Sequence, residues 1–167
     1  VLCSEKIVGE EPFALLLADD FIATDGPNNT KNLITAFNRT RKNQLSIMRV
    51  RDHSISKYGV VVRGKKPNSV DGLVEKPAAS EAPSDLASIG RYVLSSDIFS
   101  ILKCLNPGNG GEIQLADAID KQAKSGLVES VVLEGQRFDC GSVEGYLDAI
   151  KFVSEKRHFS AGVSYEK

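Results

Sequence analysis

Short dense apolar runs alternate with stretches of helical period along most of this chain, a pattern that predicts a mixed α/β fold. "FALLLADDFI" (13–22) opens with a continuous apolar run stopped by Asp19-Asp20, as expected of a strand buried on both faces of a parallel sheet. "NNTKNLITAFNRTRKN" (28–43) carries Leu33, Ile34, Phe37 and Thr40 at helical spacing, with Asn or Thr to cap it. "QLSIMRVR" (44–51) reads as the next strand, so the opening is a strand–helix–strand unit. The middle changes character, because "YGVVVRG" (58–64) and "SVDGLVEK" (69–76) predict a hairpin-like β excursion around "KKPN".

Further along, "LASIGRYVLSS" (86–96) predicts a strand and "SDIFSILKCL" (96–105) a serine-capped helix, followed by the turn cluster "NPGNGG" (106–111). In "EIQLADAIDKQAKSG" (112–126), Ile113, Leu115, Ala116, Ile119 and Ala123 fall largely on one helical face. Glu112 stands in the first turn and Gly126 makes a natural stop. "LVESVVLEG" (127–135) and "QRFD" (136–139) predict two more strands, and a helix over 142–159 starts at Ser142 with Glu144 in its first turn. The order predicts one unit: a mixed, mainly parallel, Rossmann-like sheet flanked by helices, with a β-rich excursion.

A formal net charge of -1 removes nucleic acid from the expected partners, since such a footprint needs a basic excess or stripe. The one basic cluster, Arg39-Thr40-Arg41-Lys42, falls at a predicted helix end, where the helix dipole accounts for it. No apolar stretch approaches the roughly 18 residues of a membrane helix and no signal peptide is visible, so a cytoplasmic protein without a membrane partner is expected. Cys3, Cys104 and Cys140 are widely separated and lack zinc-ligand spacing, which predicts reduced, mostly buried thiols. The chain begins at Val1 and not at methionine, as a processed protein or a fragment would.

Three places carry candidate chemistry. Asp19 and Asp139 each stand at the polar end of an apolar run, where ligands gather in open α/β sheets. Each has an ordinary reading as a turn or cap residue; converging on one edge, they would form a hard-oxygen site suited to Mg2+. Glu75-Lys76-Pro77 closes a strand with two charges. They are either an exposed ion pair worth at most about 1 kcal/mol, or two groups with separate partners on opposite faces. In the second case the carboxylate suits sugar hydroxyls and the ammonium suits a phosphate. Gly59 allows close backbone approach by a ligand. "NPGNGGEIQLADA" has glycines but neither the Walker lysine nor GxGxxG spacing, so a turn before a helix is its better reading.

Taken together and in order, "PFALLLADDFI", "YGVV", "VEKPAASEAPSDLASIGRYVLSSDIF", "GGEIQLADAI" and "RFDCGSVEGY" resemble the bacterial UTP–glucose-1-phosphate uridylyltransferases of the sugar-nucleotidyltransferase superfamily. The resemblance runs from Val1 to about Phe159. It implies Asp19 and Asp139 as Mg2+ ligands, Glu75 on glucose hydroxyls, Lys76 on the sugar-bound phosphate, and Gly59 and Gly90 against the substrate. Lys76 and Asp19 are the catalytic candidates, while Asp20 is not implied as a ligand. The implied reaction joins UTP and glucose 1-phosphate into UDP-glucose and pyrophosphate by in-line attack, with no nucleophilic side chain.

One departure is large. Nothing here resembles the family's opening strand and glycine-rich GxGTR loop, which grips the nucleotide triphosphate. The expectation is therefore the C-terminal part of a single nucleotidyltransferase domain, without roughly the first hundred residues of the family and with little activity by itself. A non-catalytic module binding a sugar phosphate or nucleotide sugar, or a structural fragment, is the alternative. An unpaired sheet edge and an exposed apolar face would favour a homo-oligomer.

Overall fold

The computed structural model describes residues 1–26, 28–108 and 111–160, with side chains up to residue 156. A first short helix α1 (Glu5–Val8) precedes strand β1 (Phe13–Leu16) and strand β2 (Asp20–Ala23). Helix α2 (Asn29–Thr40) then leads to β3 (Asn43–Arg49), β4 (Gly59–Arg63), β5 (Val70–Glu75) and β6 (Leu86–Leu94). Helices α3 (Asp97–Lys103) and α4 (Leu115–Lys124), strands β7 (Val128–Val132) and β8 (Gln136–Asp139), and helix α5 (Val143–Ser160) complete the order.

The local signals account for most boundaries. Asn28 caps α2 by accepting from the Thr30 N–H at 2.8 Å, relieving one of the unpaired donors of the first turn. The helix ends where Arg41 takes a left-handed conformation, and Lys42 beyond it pairs with Glu129 instead of serving the helix end. Gly126, at φ +74°, follows α4 and donates to the Ala123 carbonyl at 2.8 Å, as its permissive backbone allows. That helix begins at Leu115, later than expected, so Asp117 and not Glu112 is the acid in its first turn. No helix among the described residues is long and apolar enough to cross a membrane.

The main sheet runs β5-β4-β6-β3-β7, with β1 also on β6. Among the described residues only β3–β7 is parallel; the ladders β1–β6, β3–β6, β4–β5 and β4–β6 are antiparallel. The sheet is mixed, but the expectation of a mainly parallel one is corrected. The chain turns back through the β4–β5 hairpin and again into β6, which lies between β1 and β3 and separates the two strands of the opening unit. β1 is likewise not buried on both faces: Phe13 and Leu15 are half-buried, while Ala14 and Leu16 are exposed. The apolar run also breaks after Leu16, and β2 leaves to pair with β8 in a separate two-stranded sheet.

The sheet curls until its end strands meet. An antiparallel bridge joins Ser69 to Glu129, and the Ser130 N–H donates to the Asn68 carbonyl at 2.8 Å. One cluster inside the curl draws on all six strands, with Leu45, Val61, Val70, Leu86 and Val128 buried in it and Phe13 and Leu15 of β1 packed against it, and is sealed by Phe99 and Ile119 from α3 and α4. Burying each such side chain contributes about 1.5–3 kcal/mol. On the outer face Leu33 and Phe37 of α2 cover Val93, and a third cluster gathers Ile55, Val60 and Ala87. The three cysteines are free, as expected, yet Cys3 and Cys104 are exposed and Cys140 half-buried, because none lies on a core-facing row.

Candidate functional site

β6 offers one edge to two strands. β1 pairs with its second half, Arg91 to Leu94, while β4 pairs lower down at Ala87. Where the two part, the backbone of Gly90 is answered by residues after β1: its N–H donates to Asp20 Oδ2 at 2.6 Å, and its carbonyl accepts from Leu17 at 2.9 Å. This gap is a topological switch point, the kind of place where α/β sheets collect ligands.

The two aspartates of the sequence reading converge there. Cys140 donates its N–H to the Asp19 carbonyl at 2.7 Å, locking the turn after β1 to the end of β8. A Cβ built on Gly141 would lie 3.1 Å from Asp19 Oδ2 and 3.2 Å from Asp139 Oδ1, so one methyl group would touch both carboxylates. Asp19 is exposed and Asp139 half-buried. No group of three or more His, Cys, Asp or Glu suited to a metal occurs among the described residues. Two carboxylates are nevertheless what Mg2+ commonly takes from protein when phosphates and water fill its other positions.

Glu75 ends β5 directly opposite Gly59, where an added Cβ would meet Glu75 Oε2 at 3.1 Å. Lys76 then leaves the strand at φ +44°, a conformation costing a non-glycine residue about 1–3 kcal/mol, and Pro77 is buried behind it. The Lys76 N–H donates to the Tyr58 carbonyl at 3.0 Å, which holds the turn. Because Lys76 is off the strand, it does not point opposite to Glu75: its Nζ lies 3.9 Å from Glu75 Oε1 in a loose, largely exposed pair. Burial raises the Glu75 carboxyl above the ordinary glutamate range; Lys76 opposes this and Asp117 adds to it.

Tyr58 connects this wall to the aspartates. Its hydroxyl accepts from Arg137 Nη1 at 2.9 Å, with the guanidinium 5.1 Å from the ring centre. Arg137 also pairs with Asp20 and reaches Asp139 Oδ2 at 3.7 Å. Asp20, which the sequence left without a role, is thus the buried anchor of the site, only 4% exposed. Arg91 braces the same turn through the carbonyls of Leu17 at 3.1 Å and Asp20 at 2.5 Å. Arg137, Tyr58, Arg91 and Tyr92 were not singled out from the sequence. The available signal was the second aspartate of "ADD", which needs a cation once buried.

A family model described as nucleotidyl transferase matches residues 1–156. The chain belongs to the nucleotidyl transferase family. A Pseudomonas aeruginosa relative named UTP–glucose-1-phosphate uridylyltransferase is 42% identical over 159 residues, covering 93% of this chain and 57% of the relative. A Streptococcus pyogenes relative, UTP–glucose-1-phosphate uridylyltransferase 2, is 42% identical over 154 residues, covering 88% of this chain and 52% of its own. An apo UDP-glucose pyrophosphorylase crystal structure matches at 39% identity with a TM-score of 0.88, over 93% of this chain and 59% of that one. A UDP-glucose pyrophosphorylase complexed with UDP-glucose matches at 39% with a TM-score of 0.87, over 93% and 60%. This nucleotidyl transferase chain therefore spans less than two thirds of the length of these relatives, and its curled mixed sheet is theirs.

One further group beside the gap of this nucleotidyl transferase chain is perturbed. Burial pushes the Tyr92 phenol up; its hydrogen bond with Ser88 works against this, and the Glu75 and Asp20 carboxylates add to it. Tyr92 thus feels both walls of the gap.

Proposed function

We propose that this chain carries the sugar-phosphate and metal side of a site that joins UTP and glucose 1-phosphate into UDP-glucose and pyrophosphate. The observation that carries the reading is the continuous set of contacts from Lys76 through Tyr58 and Arg137 to Asp20 and Asp139, with Asp19 facing Asp139 across Gly141. Glu75, an acceptor when ionised, takes glucose hydroxyls beside the bare backbone of Gly59. Lys76 neutralises the phosphate of glucose 1-phosphate, and Gly90 leaves the room in which Asp20 and Leu17 pack at the edge of the gap. A phosphate oxygen of glucose 1-phosphate forms a bond to the α-phosphorus of UTP as the bond to the bridging oxygen of pyrophosphate breaks. The side chains act by positioning and by screening charge. Asp19 and Asp139 would hold Mg2+, which supplies electrostatic stabilisation of phosphate oxygens when bound.

The sequence contains no GxGTR-type loop, so binding suits this chain better as a test than turnover. Calorimetry with UDP-glucose in Mg2+ should give saturable binding that Glu75→Ala and Lys76→Ala each weaken about tenfold, the loss of one good polar contact. Binding that neither substitution changes, in variants with native circular dichroism, would sink the assignment. If the wild-type chain binds UDP-glucose but a pyrophosphate-release assay shows no turnover, the non-catalytic binding reading holds for the chain alone.

A further inference from the structure

The core rows inside the curl end in charge. β3 directs Leu45 and Ile47 into the central cluster and then Arg49 along the same row; β4 does likewise with Val61 and then Arg63. At this end of the curl lies a cavity of about 410 Å3, within the range of small-molecule sites. Ile47, Val61, Leu86 and Val132 give it an apolar floor. Arg49, Arg63, Lys65 and Lys66 stand around its rim.

The rim is held in place. Asp85 bridges Arg49 at 2.5 Å and Arg63 at 3.2 Å, leaving both side chains about half exposed. Burial alone would raise the Asp85 carboxyl, but the hydrogen bond and charge of Arg49, then the charge of Arg63, hold it below the ordinary aspartate range. The loop bearing Lys65 and Lys66 is closed by Gly64 N–H to the Ser69 carbonyl at 2.9 Å and by Lys66 N–H to Ser69 Oγ at 3.1 Å. Asn68, at φ +65°, fastens the loop to β7 through the Ser130 N–H. The acids at hand are Asp85 and, beside Gly64, Asp71, so the four cations are in surplus.

We propose that this mouth of the curled sheet binds a nucleoside phosphate, with the ring on the apolar floor and the phosphate against Arg63, Lys65 and Lys66. A bare anion would leave the floor wet, and an uncharged apolar molecule would leave the Lys65 and Lys66 ammonium groups and the guanidinium donors not taken by Asp85 unanswered. A phosphate on a ring meets both, and the arginine fork fits phosphate oxygens. The site is separate from the gap beside Gly90: Arg63 stands four residues along β4 from Gly59, roughly 13 Å of strand.

The test is an amide NMR titration of the 167-residue chain with UMP. Saturable shifts are expected at Gly64 to Ser69, Ser130 and Val132, weakened at least tenfold in Arg63→Glu/Lys65→Glu and unchanged in Glu75→Ala/Lys76→Ala. Uridine alone and inorganic phosphate alone should each bind at least tenfold more weakly than UMP. Lys65→Gln/Lys66→Gln, on an exposed loop, replaces the charge reversal if that variant loses native dispersion, and should weaken binding several-fold. Unmoved amides at the mouth, shifts indifferent to the rim charges, or phosphate binding as well as UMP would each overturn the proposal.

Discussion

Arg137 and Asp20 form a buried ion pair that spans the two-stranded β2–β8 sheet and fixes the turn after β1 against Gly90. Asp20 satisfies one carboxylate oxygen on Arg137 and the other on the Gly90 N–H, so its charge is fully answered inside the fold. Burial alone would lower the Arg137 guanidinium, yet Asp20, with Tyr58 and Asp139 behind it, raises it.

Removing one member of such a pair strands the other. Arg137→Met should cost about 3–5 kcal/mol, measured by urea unfolding, while the double variant Arg137→Met/Asp20→Asn should recover part of that loss. A single-variant cost below about 1 kcal/mol would mean that water reaches Asp20 and that the pair does not organise the gap.

Gly90 is required by space and not by backbone conformation. A Cβ there would collide with Asp20 Oδ2 and come within 2.6 Å of Leu17 Cβ. Gly90→Ala should destabilise by about 1–3 kcal/mol through forced displacement of the turn. Thermal melts that match the wild type would show that the turn can shift freely.

The raised Glu75 carboxyl sets a pH dependence. A group whose folded value lies above its unfolded one contributes stability at acid pH, and the contribution is lost as pH rises through the folded value. Glu75→Gln carries no such cost at any pH. The difference in Tm, variant minus wild type, should therefore be more positive at pH 7.5 than at pH 4, and an equal or reversed difference would show that burial does not govern this carboxyl.

Mg2+ binding can be read from stability. Mg2+ should raise the Tm of the wild type by mass action, and Asp139→Asn should remove that rise. Gly141 has no left-handed backbone, so Gly141→Ala changes only the space between the two carboxylates. It should abolish the Mg2+ response while costing below about 1 kcal/mol without the ion, because the flanking carboxylates are exposed enough to yield. A preserved Mg2+ response in both variants would place the ion elsewhere.

Most local elements, and the family, were readable from the order of residues along the chain. Asn28, Gly126 and the β4–β5 turn residues act within a few positions of themselves, so their caps, stops and hairpin are readable without the rest of the chain. The strand ends bearing Glu75 and Asp139 were legible for the same reason, whereas Asp19, expected at a strand end, lies in the turn between β1 and β2; the ordered motifs around all three carried the resemblance. Sheet direction was not legible, because β6 enters between β1 and β3 only through pairing across 75 to 81 residues with β1 (Leu16↔Arg91 to Phe13↔Leu94) and 37 to 49 residues with β3 (Arg49↔Leu86 to Gln44↔Val93). Nor was the role of Asp20: as a side chain beside Asp19 it is one more turn residue, and only burial against Arg137, contributed by β8, makes it an anchor. The geometry of Glu75 and Lys76 also waited on tertiary structure, since Tyr58 pulls Lys76 off the strand and brings the two charges to one side. Local backbone preferences act over a few residues and are written in order along the chain. Pairing register, burial and charge neighbours are set by residues far apart in sequence, and only the folded arrangement decides them.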